Sequence, residues 1–209
     1  MGTLYHYRDC PYCFKVKVYL HERGLTFNHA LVTRGAPPPE LSAINPLRRL
    51  PVWVTDEGKP VFGSNTIIDF LEGTEGAALL PEDPLHRARC WMAEELARDG
   101  LLEPLLAMDR VMGGKDPTEW DMDVYGKKTR RIRRMLDVFE ALLGGRQWLV
   151  GEDFSVADIS ITLPLTILER YGLDLNGHPG LADLRGRLDK RYSVVEARKD
   201  PSAARSDTH

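Results

Sequence analysis

The sequence predicts two domains of different class, an α/β domain followed by an all-helical domain. Short strand-like and helix-like segments alternate over the first part of the chain, whereas the apolar periodicities after Pro84 have helical spacing. A stretch from Gly73 to Pro84, with Gly and Pro at its ends, separates the two patterns. We therefore expect an α/β domain at residues 1–75, a helical domain at 84–198 and a flexible tail at 199–209.

The first domain is predicted to have the element order βαβ followed by ββα. Gly24 ends its first helix, Asn45-Pro46 ends a short second one, and Ser64 caps the third. The turn Asp56-Glu57-Gly58-Lys59 joins two strands into a hairpin. The predicted strands are 3–7, 26–33, 52–55 and 60–62, and the predicted helices are 12–23, 40–44 and 64–73.

The second domain is predicted to contain four helical tracts separated by Gly, Pro and Asp. Ser155 and Asp158 have the spacing of a capping box, and the apolar residues after them surround the helix, as in a central core helix. The tracts are Leu85–Val111, Pro117–Leu143, Ser155–Tyr171 and His178–Arg191.

The composition is ordinary for a globular protein, with 43% hydrophobic residues, 28% charged residues and a formal charge of -3. This charge argues against a nucleic-acid partner. The basic run from Lys127 to Arg134 lies in a helical pattern and is interpreted as a solvated helix face rather than a polyanion site. Neither a signal peptide nor a membrane span is predicted, so a reducing cytoplasm is the expected compartment.

The most informative motif is Cys10-Pro11-Tyr12-Cys13, which lies between the first strand and the first helix. At a helix N-terminus the free backbone N–H groups and the helix dipole stabilise a thiolate. The position therefore predicts a nucleophilic or redox-active Cys10.

A CxxC pair has three other interpretations: a zinc site, a structural disulfide or simple packing. A zinc site needs four ligands, and the remaining candidates, Cys90, His6 and His21, are scattered along the chain, so no metal is expected. A structural disulfide does not suit a cytoplasmic chain with three cysteines. Simple packing remains an alternative for the pair, and it is the simplest interpretation of Cys90.

Leu50-Pro51-Val52 is the second informative segment, because an X-Pro bond directly before a strand is a candidate cis peptide. A cis bond at this position would leave the N–H and C=O of Leu50 free to pair with an extended peptide ligand. A trans proline that begins a strand is the alternative.

Four segments in this order give the chain a family resemblance. They are Cys10-Pro11-Tyr12-Cys13, the stretch from Asn45-Pro46 to Leu50-Pro51-Val52, Gly63-Ser64 with the helix after it, and Phe154-Ser155-Val156-Ala157-Asp158. The first resembles the motif of glutaredoxins. Over nearly its full length the chain resembles the glutathione S-transferase superfamily, which joins a thioredoxin-like domain to a helical one.

The resemblance implies a set of glutathione-site residues. Cys10 would be the attacking thiolate and Cys13 the resolving or structural thiol. Leu50, next to Pro51, would pair main chain to main chain with the cysteinyl part of glutathione, and Ser64 at a helix start would hold the γ-glutamyl carboxylate, as helix N-termini hold anions. The residues expected to contact glutathione are Leu50, Pro51, Ser64, Asn65, Arg49 and Tyr12. Arg34 is the alternative to Arg49 for binding the glycyl carboxylate.

One position departs from the family pattern. The superfamily usually has an acidic residue before the serine, where it receives the amino group of the ligand, and this chain has Gly63 there and Asn65 after the serine. Asn65 offers only a neutral acceptor. Weaker glutathione binding, or a shifted ligand, is the expected consequence.

Three functions are compatible with these residues. The leading one is a glutathione-dependent thiol–disulfide oxidoreductase, in which Cys10 attacks a disulfide and Cys13 or a second glutathione resolves the product. The second is a transferase that conjugates glutathione to a small electrophile held by the helical domain. The third is a non-catalytic binding protein of the same fold, which the absence of an acid at Gly63 favours. Monomer and homodimer are both compatible with the sequence.

Overall fold

The computed structural model describes residues 1–199, which form two compact units. One unit contains Met1–Ala78 together with residues 190–199, and the other contains Leu79–Asp189. The predicted tail falls largely outside the described residues, since these end at Lys199.

The α/β unit is built on a four-stranded mixed sheet. Its strands are β1 (Thr3–His6), β2 (Asn28–Leu31), β3 (Val52–Val54) and β4 (Pro60–Phe62), and its first three helices are α1 (Pro11–Glu22), α2 (Pro39–Ile44) and α3 (Ser64–Thr74). The strand order is β2-β1-β3-β4. β1 pairs in parallel with β2 and antiparallel with β3, and β3 pairs antiparallel with β4. The βαβ and ββα order predicted from the sequence is therefore the observed one.

Helix α1 is the most buried helix segment of this unit, with every residue from Cys13 to Leu20 buried. Its polar side chains reach specific partners on α3. The Tyr19 hydroxyl donates to Glu72 Oε1 at 2.8 Å, and Arg23 donates to the same carboxylate oxygen at 2.9 Å. Because Glu72 is itself buried, this ion pair compensates the cost of removing both charges from water and fixes α3 against α1.

The helical unit contains five helices. They are α4 (Pro84–Leu96), α5 (Glu103–Met112), α6 (Met122–Leu143), α7 (Val156–Ile167) and α8 (Pro179–Lys190). A π-helical turn, Ala97–Leu102, joins α4 to α5, so the long first tract is continuous as expected. Within the described residues, no helix is both long and apolar enough to cross a membrane.

Asp158 supports the start of the central helix α7. Its carboxylate accepts hydrogen bonds from the backbone N–H groups of Leu149 and Ser155, both at 2.9 Å, and from the Ser155 hydroxyl at 3.1 Å. Burial raises the pKa of Asp158 to about 6, and these hydrogen bonds oppose that rise. The carboxylate half of the predicted capping box is thus present, and it also fixes the loop before α7.

The last helix is assigned to a different unit than the sequence suggested. α9 (Tyr192–Arg198) belongs to the α/β unit, where it packs along α1. Arg191 Nε donates to Glu22 Oε2 at 2.8 Å and the Ser193 hydroxyl donates to the same atom at 2.7 Å. The predicted helical tracts end at Arg191, so α9 is not among them. The predicted helical domain, 84–198, includes this segment because sequence periodicity does not show which core receives it.

Several element boundaries also differ from the predicted ones. β2 is four residues rather than eight, because its only pairing partner in the described sheet, β1, is itself four residues long. The tract predicted from Pro117 to Leu143 is split. Asp121 has extended backbone and its carboxylate accepts from the N–H groups of Asp123 and Val124, so that α6 starts only at Met122.

We expect Asp158→Ala to lower the free energy of unfolding by about 2–4 kcal/mol, because two buried N–H donors lose their acceptor. Urea denaturation followed by far-UV circular dichroism measures the change. Asp153→Ala is the matched control, because Asp153 is an exposed aspartate in the loop before α7. This variant should change the free energy of unfolding by less than about 0.5 kcal/mol. Equal losses in the two variants would contradict the role assigned to Asp158.

Candidate functional site

The two thiols lie at the start of α1, where the local sequence fixes their geometry. Cys10 is the N-cap residue, with extended backbone, and Pro11 occupies the first helical position, where its missing N–H costs no hydrogen bond. The Cys13 N–H donates to Cys10 Sγ at 3.3 Å. The sulfur therefore takes the place of the usual oxygen cap of a helix.

The surroundings of Cys10 favour its thiolate. Hydrogen bonding from the Cys13 thiol, followed by bonding from the backbone N–H groups of Cys13 and Tyr12 and the charge of Arg34, holds the pKa of Cys10 below its usual range. Burial opposes these effects, since Cys10 is only 7% exposed. The first thiol of the motif is thus the more acidic one.

Cys13 has the opposite character. It is fully buried, and burial, reinforced by its contact with Cys10, raises the pKa of its thiol far above the usual range. At neutral pH Cys13 is a protonated hydrogen-bond donor. The pair therefore consists of one thiol poised to ionise and one held neutral.

Leu50 and Pro51 lie beside the thiols. Leu50 belongs to the same buried apolar cluster as Cys10 and Cys13, and its carbonyl oxygen is 3.9 Å from Cys10 Sγ. The Leu50–Pro51 peptide bond is cis. Among the described residues, no hydrogen-bond partner is found for the Leu50 N–H.

Ser64 lies at the start of α3, close to Pro51. The Pro51 carbonyl accepts a hydrogen bond from the Gly63 N–H at 3.3 Å, which brings the first turn of α3 next to Pro51. Ser64 is the first residue of α3 rather than its cap, because Gly63 occupies the N-cap position with a φ of 92°. A glycine suits this left-handed backbone, which an acidic side chain would adopt only with strain.

The remaining expected contact residues occupy three different settings. Asn65 Oδ1 accepts a hydrogen bond from Lys15 Nζ, so its amide oxygen is already engaged. Tyr12 is partly buried against the cluster around Cys10, and Arg49 is exposed next to Leu50. Arg34, the alternative to Arg49, stacks on the Tyr7 ring at 4.4 Å and pairs with Asp9 at 3.1 Å.

Lys15 was not singled out from the sequence, although it is buried and its ammonium contacts Asn65 directly after Ser64. The signal was present, since Lys15 interrupts the apolar run that follows Cys13. A lysine within a buried helix face requires a polar partner. Lys15 brings positive charge to the first turn of α3, where the backbone N–H groups already favour an anion.

Comparison with known proteins identifies the family. The model for the glutathione S-transferase N-terminal domain matches residues 4–78, and the model for the C-terminal domain of the same family matches residues 102–191. The chain belongs to the glutathione S-transferase superfamily. Its thioredoxin-like α/β domain and its helical domain are those of this superfamily, which confirms the predicted fold class.

Individual relatives can be aligned with most of the chain. A glutathione S-transferase from Methylobacillus flagellatus, solved with glutathione bound, is 27% identical with a TM-score of 0.80, covering 96% of this chain and 100% of its own. Mouse maleylacetoacetate isomerase is 25% identical over 95% of this chain and 93% of its own length. The uncharacterised protein YibF of Escherichia coli is 32% identical over 64% of this chain and 65% of its own length.

We expect Cys10 to react with iodoacetamide at a lower pH than free cysteine does, because its pKa is lowered and the thiolate is the reacting form. The rate of alkylation, followed by mass spectrometry of the Cys10 peptide, rises with pH, and the midpoint of this profile should lie below about pH 8.5, the usual thiol pKa. Cys13→Ala should move the midpoint of the profile upward, and Arg34→Ala should move it upward by less.

The matched control for Arg34 is Arg49→Ala, which should leave the midpoint unchanged because Arg49 is not among the causes of the shift. A wild-type midpoint at or above that of free cysteine would contradict the acidic character of Cys10.

Proposed function

We propose that this protein is a glutathione-dependent thiol–disulfide oxidoreductase whose nucleophile is Cys10. The observation that carries this proposal is the position of Cys10 Sγ at the N-terminus of α1, where it accepts the Cys13 N–H and has a lowered pKa. A sulfur in such a setting is a nucleophile near neutral pH. Membership in the superfamily, and the glutathione bound in the relative from Methylobacillus flagellatus, support glutathione as the partner thiol.

Glutathione is proposed to bind along Cys10, Leu50 and the first turn of α3. The cysteinyl N–H and C=O of glutathione would pair with the main chain of Leu50, whose N–H has no partner in the described part of the chain. This pairing would direct the glutathione sulfur toward Cys10, since the Leu50 carbonyl is 3.9 Å from Cys10 Sγ. The γ-glutamyl carboxylate would bind at Ser64 and the first N–H groups of α3.

The reaction proceeds by two thiol–disulfide exchanges. The Cys10 thiolate attacks the glutathione sulfur of a mixed disulfide R–S–SG, which forms Cys10–S–SG and releases RS⁻, to be protonated by solvent. The thiolate of a second glutathione then attacks the glutathionyl sulfur. This step forms oxidised glutathione and regenerates the Cys10 thiolate, so that one glutathione thiol is consumed for each mixed disulfide R–S–SG reduced to RSH.

Cys13 is proposed to assist this reaction as a donor rather than as the resolving thiol. Resolution by Cys13 would require its thiolate, and burial holds this thiol protonated. A second glutathione, whose thiol ionises in solution, avoids that cost. Of the two routes compatible with the sequence, the geometry therefore favours resolution by glutathione.

We predict that Cys10→Ser lowers the rate of glutathione-dependent reduction of a mixed disulfide by at least 100-fold, because a serine hydroxyl is not ionised at neutral pH. Cys13→Ser should keep between a tenth and all of the activity. Reduction of the mixed disulfide of glutathione and 2-mercaptoethanol, coupled to glutathione reductase, measures the rates. Cys90→Ser is the matched control for loss of a buried thiol, and it should retain activity.

Three outcomes would overturn the proposal. Full activity in Cys10→Ser would show that another group is the nucleophile. If the wild type does not reduce the mixed disulfide but conjugates glutathione to a halo-nitroarene, the transferase alternative is established instead. A wild type that is inactive in both assays and does not bind immobilised glutathione would establish a non-catalytic protein.

A second candidate is a glutathione-using isomerase, which the similarity to mouse maleylacetoacetate isomerase over 95% of this chain favours. The same site would then hold a glutathione thiolate that adds to a double bond and leaves it again. Glutathione-dependent loss of the maleylacetoacetate absorbance, with Cys10→Ser beside the wild type, tests this candidate. Isomerisation that continues in Cys10→Ser while disulfide reduction is undetectable in the wild type would replace the oxidoreductase by the isomerase.

A further inference from the structure

The exposed face of α6 carries a concentration of positive charge that the proposed glutathione chemistry does not use. Six cations fall within the eight residues from 127 to 134, in a chain whose formal charge is -3. Four of them, spaced i, i+3, i+4 and i+7, share one helix face and are exposed; we call these four the basic stripe. The basic stripe consists of Lys127, Arg130, Arg131 and Arg134, and the two flanking cations are Lys128 and Arg133.

The basic stripe has little neutralisation from carboxylates: the charge of Arg131 acts on the Asp99 carboxylate, which is itself paired with Arg98 at 2.8 Å. No acidic residue occurs between Val124 and Leu136 of α6. Across the described residues, the only contact found for a stripe side chain is the one from Arg131 to the Asp99 carbonyl, at 3.0 Å. The carboxylates nearest to its C-terminal end are engaged elsewhere, since Asp137 pairs with His178 at 2.9 Å and Glu140 accepts from the N–H groups of Gly180 and Leu181.

An arrangement of this kind destabilises the isolated helix, because like charges three and four residues apart repel each other. The helix is held in place by its buried face, which includes Thr129, Ile132, Leu136 and Phe139. Packing thus holds the four stripe cations on one exposed face of α6, where Arg131 alone is found hydrogen-bonded within the described residues. An ordinary solvated helix face mixes both signs of charge, whereas this one is complementary to an anion.

The length of the basic stripe favours a small anionic partner over a bilayer or a nucleic-acid duplex. Seven residues of helix extend about 10 Å, at about 1.5 Å per residue. Carboxylates bound this patch along α6, with Asp121 and Asp123 before it and Asp137 after it. A bilayer or a nucleic-acid duplex is longer than the patch and would meet these carboxylates as well as the net negative charge of the chain.

The apolar face of α6 is buried, so it has little to contribute to a lipid surface. A short run of Asp and Glu side chains has the right length, and the planar guanidinium groups of three stripe residues pair well with carboxylates. We propose that the basic stripe of α6 is the docking site for a short acidic segment of a partner protein.

Fluorescence anisotropy with a labelled eight-residue peptide of Asp and Glu tests this proposal directly. The wild type should bind it in 50 mM salt, bind it several-fold more weakly in 200 mM salt, and show no binding to the Asn and Gln analogue. Arg130→Glu together with Arg134→Glu should weaken binding at least tenfold. The control, Lys59→Glu with Lys190→Glu, makes the same charge change at two exposed lysines outside α6 and should stay within twofold of the wild type.

A second pair of variants separates loss of binding from loss of folding. Arg130→Gln with Arg134→Gln removes repulsion along α6, so it should raise Tm slightly while it weakens peptide binding. Peptide binding that is unchanged in both stripe variants, or equal for the acidic peptide and its neutral analogue, would overturn the proposal. Stripe-dependent binding to phosphatidylserine vesicles or to duplex DNA, without binding to the peptide, would overturn it as well.

Discussion

Helix α1 is buried along eight consecutive residues, and both the fold and the candidate site of the α/β unit depend on how its polar groups find partners there. At its C-terminal end Tyr19 and Arg23 bond to the buried Glu72 of α3. At its N-terminal end there is no carboxylate in the first turn, and the sulfur of Cys10 is the acceptor. The cap that completes the helix is therefore also the group with the chemical reactivity.

This dual use explains why the two thiols of one short motif differ so much. Both are on the same helix start and in the same apolar cluster. Cys10 precedes the helix and receives its N–H groups, whereas Cys13 lies one turn inside and is covered on every side. The asymmetry comes mainly from the hydrogen bond that the Cys13 thiol donates to Cys10 and from the burial of Cys13, and the N–H groups at the helix start add to it.

The order of elements was predictable, because strand and helix periodicities and the Gly and Pro signals are local in the sequence. The grouping of Cys10, Leu50 and Ser64 came instead from the family resemblance. The contact between Lys15 and Asn65 was not predictable from spacing, since it joins α1 to α3 across 50 positions. The N-cap role of Gly63 was also missed. It depends on a backbone φ of 92°, which serine at the next position does not reveal.

The same limit applies to α9, which lies beyond the last predicted tract and whose partner, α1, is distant in the sequence. Glu22, in the first helix of the chain, is contacted by Arg191 and Ser193 near the end of the described residues. A ribosome that has synthesised only residues 1–78 has therefore not yet released all the parts of the α/β unit. During synthesis, the face of α1 that packs against α9 stays uncovered until residues 192–198 have been made.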